Sequence, residues 1–382
     1  MSDIILQLKY IVLFIAALPF AVLYRFKSEK SPKTFAVVQM AKLGDMVCTT
    51  PMFRAIKNKY PNSMVLAVGN AINKEVLNYN KDVDQYVVFD GIIRTIKKLR
   101  EIKIDFACVT GPGLVELVVL FIAGVPHIAV PKIVNGVSPY ENMWFKILRI
   151  FCDTHEHRMR HYAPREYLKL LESVGIYEKD TTKHIAYSNE AMDKVLGYLN
   201  EQKIKKNDIL VCISPSAGNK IKKWPADRFA VVAEYVRDTY GALVFVIGSK
   251  RDENEVLEMF SYIKQAKNIF NVCNMLSLDE LKAFISKMNL FISVDTGPIY
   301  IAEAFGVATV DIVGPVDELE QPPIAQKHLV VVPEQPRTPE LFVMDAHSEN
   351  FAEIERQTKS ITTLAVCRAC DIILSHAIKN KN

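Results

Sequence analysis

The chain has 382 residues, of which half are hydrophobic and about a quarter are charged, as expected for a globular protein with a sizeable core. Its 47 basic residues are nearly balanced by 43 acidic ones, so the net charge of +4 does not favour nucleic-acid binding. Seven cysteines at scattered positions form no disulfide framework, and a reducing compartment is the simpler interpretation.

The N-terminal segment, residues 4–23, is mostly apolar and is interrupted by Gln7 and Lys9. A membrane span needs about 20 apolar residues, so this segment is borderline. Basic residues follow it at once: Arg25, Lys27, Lys30 and Lys33. Positive charge on this side predicts a globular part at the cytoplasmic face of the inner membrane, and it also attracts anionic headgroups. We predict a hydrophobic anchor over residues 1–30, with membrane association through residues 4–24. A span, an interfacial or re-entrant helix, an uncleaved signal and a buried N-terminal helix remain open.

From residue 34 onward, segments typical of strands and helices alternate. Short apolar runs predict strands at residues 35–39, 64–68, 86–89 and 106–109. The helix after the first strand is expected to reach Tyr60, because Pro61 and Asn62 end it. This alternation predicts a parallel sheet with helices on both faces and with ligand-binding loops at the carboxyl ends of its strands.

A second series of strands is predicted after a mostly helical stretch. Residues 139–173 show no convincing strand, and polar residues between 177 and 207 indicate a junction with a helix near residues 190–201. Strands then follow at residues 209–213, 243–247, 269–272, 290–293 and 309–313. We predict an N-terminal domain over residues 31–190, a second domain over residues 191–345, and a last helix within residues 346–382 that packs back across the domains.

The first candidate for chemistry, Lys42-Leu43-Gly44-Asp45, directly follows the first strand. Gly44 gives the turn conformational freedom, and a carboxylate at the loop-to-helix junction can take a proton from a hydroxyl nucleophile. Asp is also a preferred helix cap, and this motif alone favours the cap.

The second candidate is the loop at residues 214–225, which follows the first strand of the second domain. Small residues, hydroxyls such as that of Ser216, and three lysines suit a phosphorylated ligand. The loop lacks the residue order of a Walker A motif. A solvated basic loop is the alternative, although Trp224 in a loop usually packs on something.

The third candidate is Asp295-Thr296-Gly297, between the strand at residues 290–293 and a helical pattern at residues 299–305. Unpaired N–H groups and the macrodipole at a helix N-terminus favour an anion. A carboxylate, a hydroxyl and a glycine suit such a turn, and helix capping is again the alternative.

In this order the three motifs resemble the heptosyltransferases, glycosyltransferase family 9, which transfer heptose from ADP-heptose to the inner core of lipopolysaccharide. The resemblance covers residues 34–317 and includes Thr50-Pro51 after the first motif, residues 222–229 (KKWPADRF) and Gly314-Pro315 after the third. It implies a GT-B fold, an α/β fold with two doubly wound Rossmann-like domains facing a cleft, here with the N-terminal anchor helix in addition. The acceptor would bind the N-terminal domain and the nucleotide-sugar the C-terminal domain.

The resemblance also implies the role of each site residue. Asp45 matches the proposed general base for an acceptor hydroxyl, with Gly44 and Lys42 supporting that loop. Lys222 matches the lysine that holds the donor diphosphate. Donor-binding positions are completed by Ser216, Asp295, Thr296, Gly297 and Tyr300. Positive charge and helix-end N–H groups suit this chemistry, because negative charge builds on the leaving diphosphate. The family inverts the anomeric centre, and no metal or other cofactor is implied.

One position departs from the family pattern. Many members have His three residues after the glycine of the third motif, where this chain has Tyr300. Tyr donates a hydrogen bond but carries no positive charge near neutral pH. The predicted function is therefore transfer from a nucleotide-sugar, ADP-heptose first, to a lipid-linked glycan. A different donor and a degenerate nucleotide-binding scaffold are the alternatives.

Three other patterns are interpreted as structural. Asp82-Val83-Asp84 fits the Asp-x-Asp pattern of metal-dependent transferases, but the implied fold is usually metal-free. The residues His155, His157 and His161 are expected on a solvated helix edge rather than at a metal. Cys367 and Cys370 lie on a predicted helix and are expected to serve packing rather than metal binding or redox chemistry. No Gly-x-Gly-x-x-Gly sequence opens either domain, which argues against a nicotinamide enzyme.

Overall fold

The computed structural model describes residues 3–24 and 31–379, and the chain divides into two compact units. The first unit comprises Met1–Lys183 and Val343–Asp345, and the second comprises His184–Phe342 and Ala346–Asn382. The boundary predicted from the sequence, after residue 190, falls within the first helix of the second unit.

The first unit alternates helices and strands around a six-stranded parallel sheet with the order β3-β2-β1-β4-β5-β6. The strands predicted in this region are confirmed. The elements are α1 (Asp3–Tyr24), β1 (Thr34–Gln39), α2 (Leu43–Lys59), β2 (Met64–Gly69), α3 (Ala71–Leu77), β3 (Gln85–Val88), α4 (Ile92–Ile102), β4 (Phe106–Val109), α5 (Leu114–Ala123), β5 (His127–Val134), α6 (Met143–Leu148), β6 (Asp153–Arg158) and α7 (Ala163–Lys169).

The prediction that residues 139–173 contain no strand is wrong. Strand β6 lies in this region and pairs with β5 at the edge of the sheet. Its sequence, DTHEHR, has no apolar residue, and His157 is its buried side chain. An edge strand pairs on one side alone and tolerates charged side chains, so hydrophobic periodicity does not reveal it.

The second unit contains another six-stranded parallel sheet, with the order β12-β11-β10-β7-β8-β9. Its elements are α8 (Asn189–Glu201), β7 (Leu210–Ser214), α9 (Ala226–Tyr240), β8 (Leu243–Val246), α10 (Glu253–Tyr262), β9 (Ile269–Asn271), α11 (Leu278–Ile285), β10 (Leu290–Val294), α12 (Gly297–Ala304), β11 (Ala308–Ile312), β12 (His328–Val331), α13 (Phe351–Ser360) and α14 (Thr363–Lys379). The predicted helix near residues 190–201 is α8. Strand β12 was not predicted.

The single last helix predicted within residues 346–382 is two helices, α13 and α14. Ile361, between them, has an extended backbone (φ −70°, ψ 116°) and a buried side chain. Its carbonyl accepts hydrogen bonds from Trp224 Nε1 at 3.0 Å and from Arg228 Nη1 at 2.6 Å. A carbonyl turned towards these donors cannot continue the helix, which explains the break. Helix α14 then packs on α9 and on the sheet, and both Cys367 and Cys370 are buried there, as predicted.

Helix α1 coincides with the apolar N-terminal segment, but it packs on α5 and α6 as part of the first unit. Ala17 and Ala21 are fully buried in the same hydrophobic cluster as the sheet. Within residues 3–24 and 31–379, no helix combines the length and the apolar character needed to cross a bilayer. Of the predicted basic cluster, Arg25, Lys27 and Lys30 lie outside the described residues.

Counted from the first strand of each unit, both sheets have the order 3-2-1-4-5-6. The order reverses between β1 and β4 in the first sheet and between β7 and β10 in the second. In open α/β sheets, ligands bind outside the carboxyl ends of the strands at such a reversal. All three predicted motifs directly follow strands at these two points, namely β1, β7 and β10.

Candidate functional site

In the first unit, Asp45 lies in the first turn of α2 and caps it. Its Oδ2 accepts a hydrogen bond from the backbone N–H of Lys42 at 3.0 Å. Asp45 is half-buried, Lys42 is exposed, and Gly44 between them is buried. The N-cap residue is Lys42 rather than Asp45, which instead caps the helix from its third position. The general-base role of Asp45 stays a prediction.

Neutral hydrogen bonds fix the loop that carries Asp45. Gln39 at the end of β1 accepts from the N–H of Ala41 at 3.0 Å and donates to Thr49 Oγ1 at 3.2 Å. The carbonyl of Ala41 in turn accepts from the amides of Asn70 and Asn73, at 2.9 and 3.0 Å. Because both ends of the turn are held, the position of the Asp45 carboxylate is set by the backbone.

Pro51 interrupts the hydrogen-bond ladder of α2 without ending the helix. It has no N–H to donate to the carbonyl of Val47, four residues earlier. The hydroxyl of Thr50 donates to that carbonyl instead, at 2.7 Å. The Thr50-Pro51 pair, part of the resemblance, thus keeps the helix behind Asp45 intact.

In the second unit, the structure brings together three predicted residues from separate segments. Lys222 Nζ lies 2.6 Å from Asp295 Oδ2, and the hydroxyl of Tyr300 donates to Asp295 Oδ1. The Asp295 side chain is 4% exposed and that of Lys222 is 20% exposed. A nearly buried carboxylate held by one cation and one hydroxyl forms a charged centre at the reversal between β7 and β10.

The N-terminus of α12 borders this centre. Thr296 occupies the N-cap position with an extended backbone and no side-chain capping bond, and Gly297-Pro298 opens the helix. Pro298 has no N–H, and the N–H of Ile299 donates to Thr296 O at 3.1 Å. Among the described hydrogen bonds, this leaves the N–H groups of Thr296 and Gly297 for an anion. Ser216 is buried in the loop after β7, and no described hydrogen bond joins it to the Lys222–Asp295 pair.

The three lysines of the loop at residues 214–225 pair with two different carboxylates. Lys223 forms an ion pair with Glu255, and Lys220 lies 3.5 Å from the same carboxylate. Lys222 alone of the three is paired with Asp295. Trp224, which follows, is buried edge-on against Phe229 with ring centroids 4.9 Å apart, which confirms the prediction that it packs. The loop is therefore held from behind while Lys222 faces the carboxyl ends of the strands.

The Gly314-Pro315 segment, also part of the resemblance, permits a close approach by helix α13. A Cβ atom on Gly314 would lie 2.8 Å from Thr358 Oγ1 and 3.1 Å from the Thr358 backbone. A larger residue would therefore force Thr358 and its backbone to shift, which favours glycine at this position.

Sequence reasoning missed Asp311, a fully buried acid in β11. Burial raises the pKa of its carboxyl well above the usual range, and the neighbouring Asp295 raises it further. The signal was present in the sequence, because Asp311 is the one charged residue in the strand Ala308–Ile312.

The two carboxylates of the Asp82-Val83-Asp84 pattern form ion pairs within the first unit. Asp82 pairs with Arg54 at 3.1 Å and Asp84 with Lys57 at 2.6 Å. Across residues 3–24 and 31–379, no group of three or more His, Cys, Asp or Glu side chains could hold a metal ion.

The expectation of a solvated helix edge for the histidines is wrong. His155 and His157 lie on β6, and His161 is exposed in the turn that follows it. His155 Nε2 lies 2.6 Å from Ser173 Oγ. Burial lowers the pKa of His157 to about 4.

Two parallel sheets of this topology, each with polar groups at its strand-order reversal, define an α/β protein with a GT-B-like fold. The family model for glycosyltransferase family 9 (heptosyltransferase) matches residues 142–348, more than half of the chain. The chain belongs to this family, which makes it a glycosyltransferase and confirms the resemblance stated from the motifs.

Individual relatives agree with this assignment. Lipopolysaccharide heptosyltransferase 3 of Escherichia coli K12 is 24% identical over 288 residues, which cover 72% of this chain and 81% of that protein. The crystal structure of a family 9 glycosyl transferase from Veillonella parvula has a TM-score of 0.74 at 21% identity, with 91% of this chain and 99% of that one covered. The E. coli ADP-heptose lps heptosyltransferase II has a TM-score of 0.70 at 17% identity, with 90% and 99% covered.

Proposed function

We propose that this protein transfers heptose from ADP-heptose to a lipopolysaccharide core or other lipid-linked glycan acceptor, with inversion at the anomeric carbon and without a metal ion. The observation that carries the proposal is the Lys222–Asp295 pair beside the N-terminus of α12, in a chain of the heptosyltransferase family. Its relatives suggest the donor and the acceptor, since they are a lipopolysaccharide heptosyltransferase and an ADP-heptose heptosyltransferase.

Lys222 is the group suited to the donor diphosphate. Its ammonium is partly exposed and already compensates one carboxylate. A diphosphate offers more negative charge than Asp295 does, so the ammonium can exchange partners when the donor binds. The N–H groups of Thr296 and Gly297 add fixed positive dipoles where charge builds on the leaving group.

Asp45 is proposed as the base that accepts the proton of the acceptor hydroxyl. Its backbone-fixed position suits general-base catalysis, which depends on geometry before pKa. The cap bond from the N–H of Lys42 stabilises the ionised carboxylate that such a base requires. Lys42 and Gly44 then shape the loop on the acceptor side.

The direct test is transfer by the purified full-length chain, with ADP-heptose and a truncated lipopolysaccharide acceptor, followed by ADP release and product analysis. We expect turnover that persists in excess EDTA and a product with the opposite anomeric configuration to the donor, seen by NMR coupling constants. Loss of activity in EDTA would overturn metal independence. ADP binding without turnover on any core acceptor would make the protein a nucleotide-binding scaffold.

A different donor is the second candidate, and Tyr300 favours it. Its hydroxyl is engaged with Asp295, where many family members have a histidine. A competition assay with ADP-heptose, ADP-glucose, UDP-glucose and GDP-mannose separates the two candidates. Preference for a donor other than ADP-heptose would keep the fold and the site but replace the sugar.

We further propose that α1 docks the first unit on the cytoplasmic face of the inner membrane. While Ala17 and Ala21 face the core, the opposite side of the helix exposes apolar side chains at helical spacing: Ile5, Leu8, Val12, Ile15 and Val22. Lys9 on α1 and Lys33 just before β1 are exposed, and Arg25, Lys27 and Lys30 lie between them in the sequence. An apolar face with a basic flank matches an anionic lipid interface.

Vesicle co-sedimentation tests this docking. Val12→Gln with Ile15→Gln should reduce binding to phosphatidylglycerol vesicles about tenfold, because two exposed apolar side chains can no longer insert into the lipid interface. The matched control is Ile72→Gln with Val137→Gln, which changes two equally exposed apolar residues elsewhere on the first unit. Equal binding by both double variants would remove α1 from the docking surface.

A further inference from the structure

Asp311 is a buried acid whose chemistry is not explained by the fold. Its side chain is 0% exposed, and neither carboxyl oxygen has a hydrogen-bond partner. In the parallel pair of β10 and β11, Asp311 lies opposite Ser293, two residues before Asp295. Because side chains alternate along a strand, Asp311 and Asp295 belong to the same face of the sheet.

Charged groups from three neighbouring segments act on this acid. Asp295 follows β10, Lys222 lies in the loop after β7, and Glu303 lies on α12. Tyr300 lies one turn before Glu303 and donates to Asp295. On the side of β12, His328 Nδ1 lies 2.9 Å from Thr309 Oγ1, so this ring is engaged two residues before Asp311.

These surroundings favour the protonated form of the Asp311 carboxyl. Burial is the largest cause of its raised pKa, and repulsion from Asp295 and Glu303 adds to it, while Lys222 opposes it. A protonated carboxyl has one O–H donor. Within the described part of the chain that donor is unused, and it lies beside a carboxylate that depends on Lys222.

Binding of the donor would remove the cation that is paired with Asp295. When the diphosphate draws Lys222 away, Asp295 keeps Tyr300 but loses its cation, and it is nearly buried. A buried carboxylate that loses its partner is strongly destabilised. A neutral acid next to it can compensate by donating a hydrogen bond, without adding negative charge near the diphosphate.

We propose that Asp311 is a positioning residue that donates a hydrogen bond to Asp295 once the donor diphosphate has taken Lys222. The proton stays on Asp311 throughout, and no bond to substrate is formed. This inference rests on the proposed function, because it requires a diphosphate ligand at Lys222.

The test is ADP affinity, measured by calorimetry at neutral pH on full-length variants. Asp311→Asn keeps an N–H donor and should bind within about threefold of the wild type, whereas Asp311→Val should bind about tenfold more weakly. In an Asp295→Asn background the Val substitution should cost less than about threefold, since the neutral amide needs no such donor. Thr309→Val is the matched control, because Thr309 is equally buried on the same face of β11.

Each outcome has a separate meaning. Wild-type affinity in Asp311→Val, equal loss in Asp311→Asn, or the same penalty in the Asp295→Asn background would each overturn the role of Asp311. Failure of the wild type to bind ADP would instead overturn the proposed function.

Infrared difference spectra between wild type and Asp311→Asn provide a measurement that does not depend on folding of the Val variant. A protonated-carboxyl band that shifts when ADP is added supports the proposal. The absence of the band, or a band that ADP leaves unchanged, contradicts it.

Discussion

The two strand-order reversals have the same topology but hold their candidate carboxylates by different physical means. After β1, backbone and amide hydrogen bonds fix the loop of Asp45, and the N–H of Lys42 is one partner of its carboxylate. After β10, Asp295 is fixed by an ammonium and a phenol hydroxyl, beside a second buried acid. The first arrangement keeps a carboxylate in place, whereas the second can exchange its cation with a ligand.

This difference matches the two halves of a transfer reaction. A general base must stay in one position and one charge state until the proton arrives. A leaving-group site must present positive charge that is not permanently neutralised. Under the proposed function, the same sheet topology would serve both needs through the choice of side chains in the loops.

The largest expected effect is the loss of the base. Asp45→Asn should reduce kcat about 10²- to 10⁴-fold, the usual contribution of general-base catalysis, while ADP affinity changes little. The amide can still accept from the N–H of Lys42, so stability should change by less than about 1 kcal/mol. Steady-state kinetics and ADP titration check both statements.

A capping carboxylate elsewhere supplies the control for Asp45. Glu280 Oε2 accepts from the N–H of Ser277 at 2.8 Å in the same way at the start of α11. Glu280→Gln should leave kcat unchanged. If Asp45→Asn behaves like Glu280→Gln, Asp45 is a cap and nothing more.

The next effect tests the exchangeable cation. Lys222→Ala should lower kcat/KM about 10²- to 10³-fold and should weaken ADP binding, because transition-state and ground-state charge both lose a partner. Lys223→Ala is its neighbour-matched control, since that ammonium is paired with Glu255. Equal losses in the two variants would mean that the loop supplies diffuse charge, and the contrast between the two sites would disappear.

The sequence predicts much of this arrangement because buried parallel strands are continuous apolar runs. β1, β7 and β10 are short, apolar and followed by polar turns, so both their existence and their functional loops are visible. β6 is not visible because all its side chains are polar, and the break at Ile361 depends on Trp224, 137 residues away.

The partners of the charged groups lie outside the reach of sequence patterns. Lys222 and Asp295 are 73 residues apart, and only the pairing of β7 with β10 brings them together. Whether Asp45 caps a helix or acts as a base is a question of substrate placement, and its residue type suits both roles. Asp311 was visible as a charge in a strand, but its burial beside Asp295 depends on the β10–β11 register.

A further comparison concerns buried titratable groups, which give the two units opposite responses to pH. His157 in the first unit has a folded pKa of about 4, below its usual 6.5. The stability that comes from keeping this ring neutral is present above pH 6.5. It is lost as the pH falls towards the pKa of the folded state. Asp311 has a raised pKa, so its contribution to the free energy of unfolding is present at low pH and is lost as the pH rises.

His157→Phe tests the acid side of this comparison. The wild type should lose about 2 kcal/mol more unfolding free energy than the variant between about pH 7.5 and about pH 5. Urea denaturation at both pH values measures the difference. His161→Gln, at an exposed position, is the control and should retain the wild-type loss. An equal acid loss in His157→Phe would show that the buried ring is not its source.

The smallest expected effect concerns the support behind Lys222. Trp224→Phe keeps the ring packed on Phe229 but removes the donor to the carbonyl of Ile361, which still accepts from Arg228. Because that carbonyl keeps one partner, the cost should be about 0.5 to 1.5 kcal/mol of unfolding free energy. Trp144→Phe is the control, since its indole N–H lies 3.4 Å from the exposed Gln7 and should contribute almost nothing. If Trp224→Phe also weakens ADP binding, the α13–α14 junction holds the loop that carries Lys222. The position of Lys222 would then depend on hydrogen bonds to the backbone, as the position of Asp45 does.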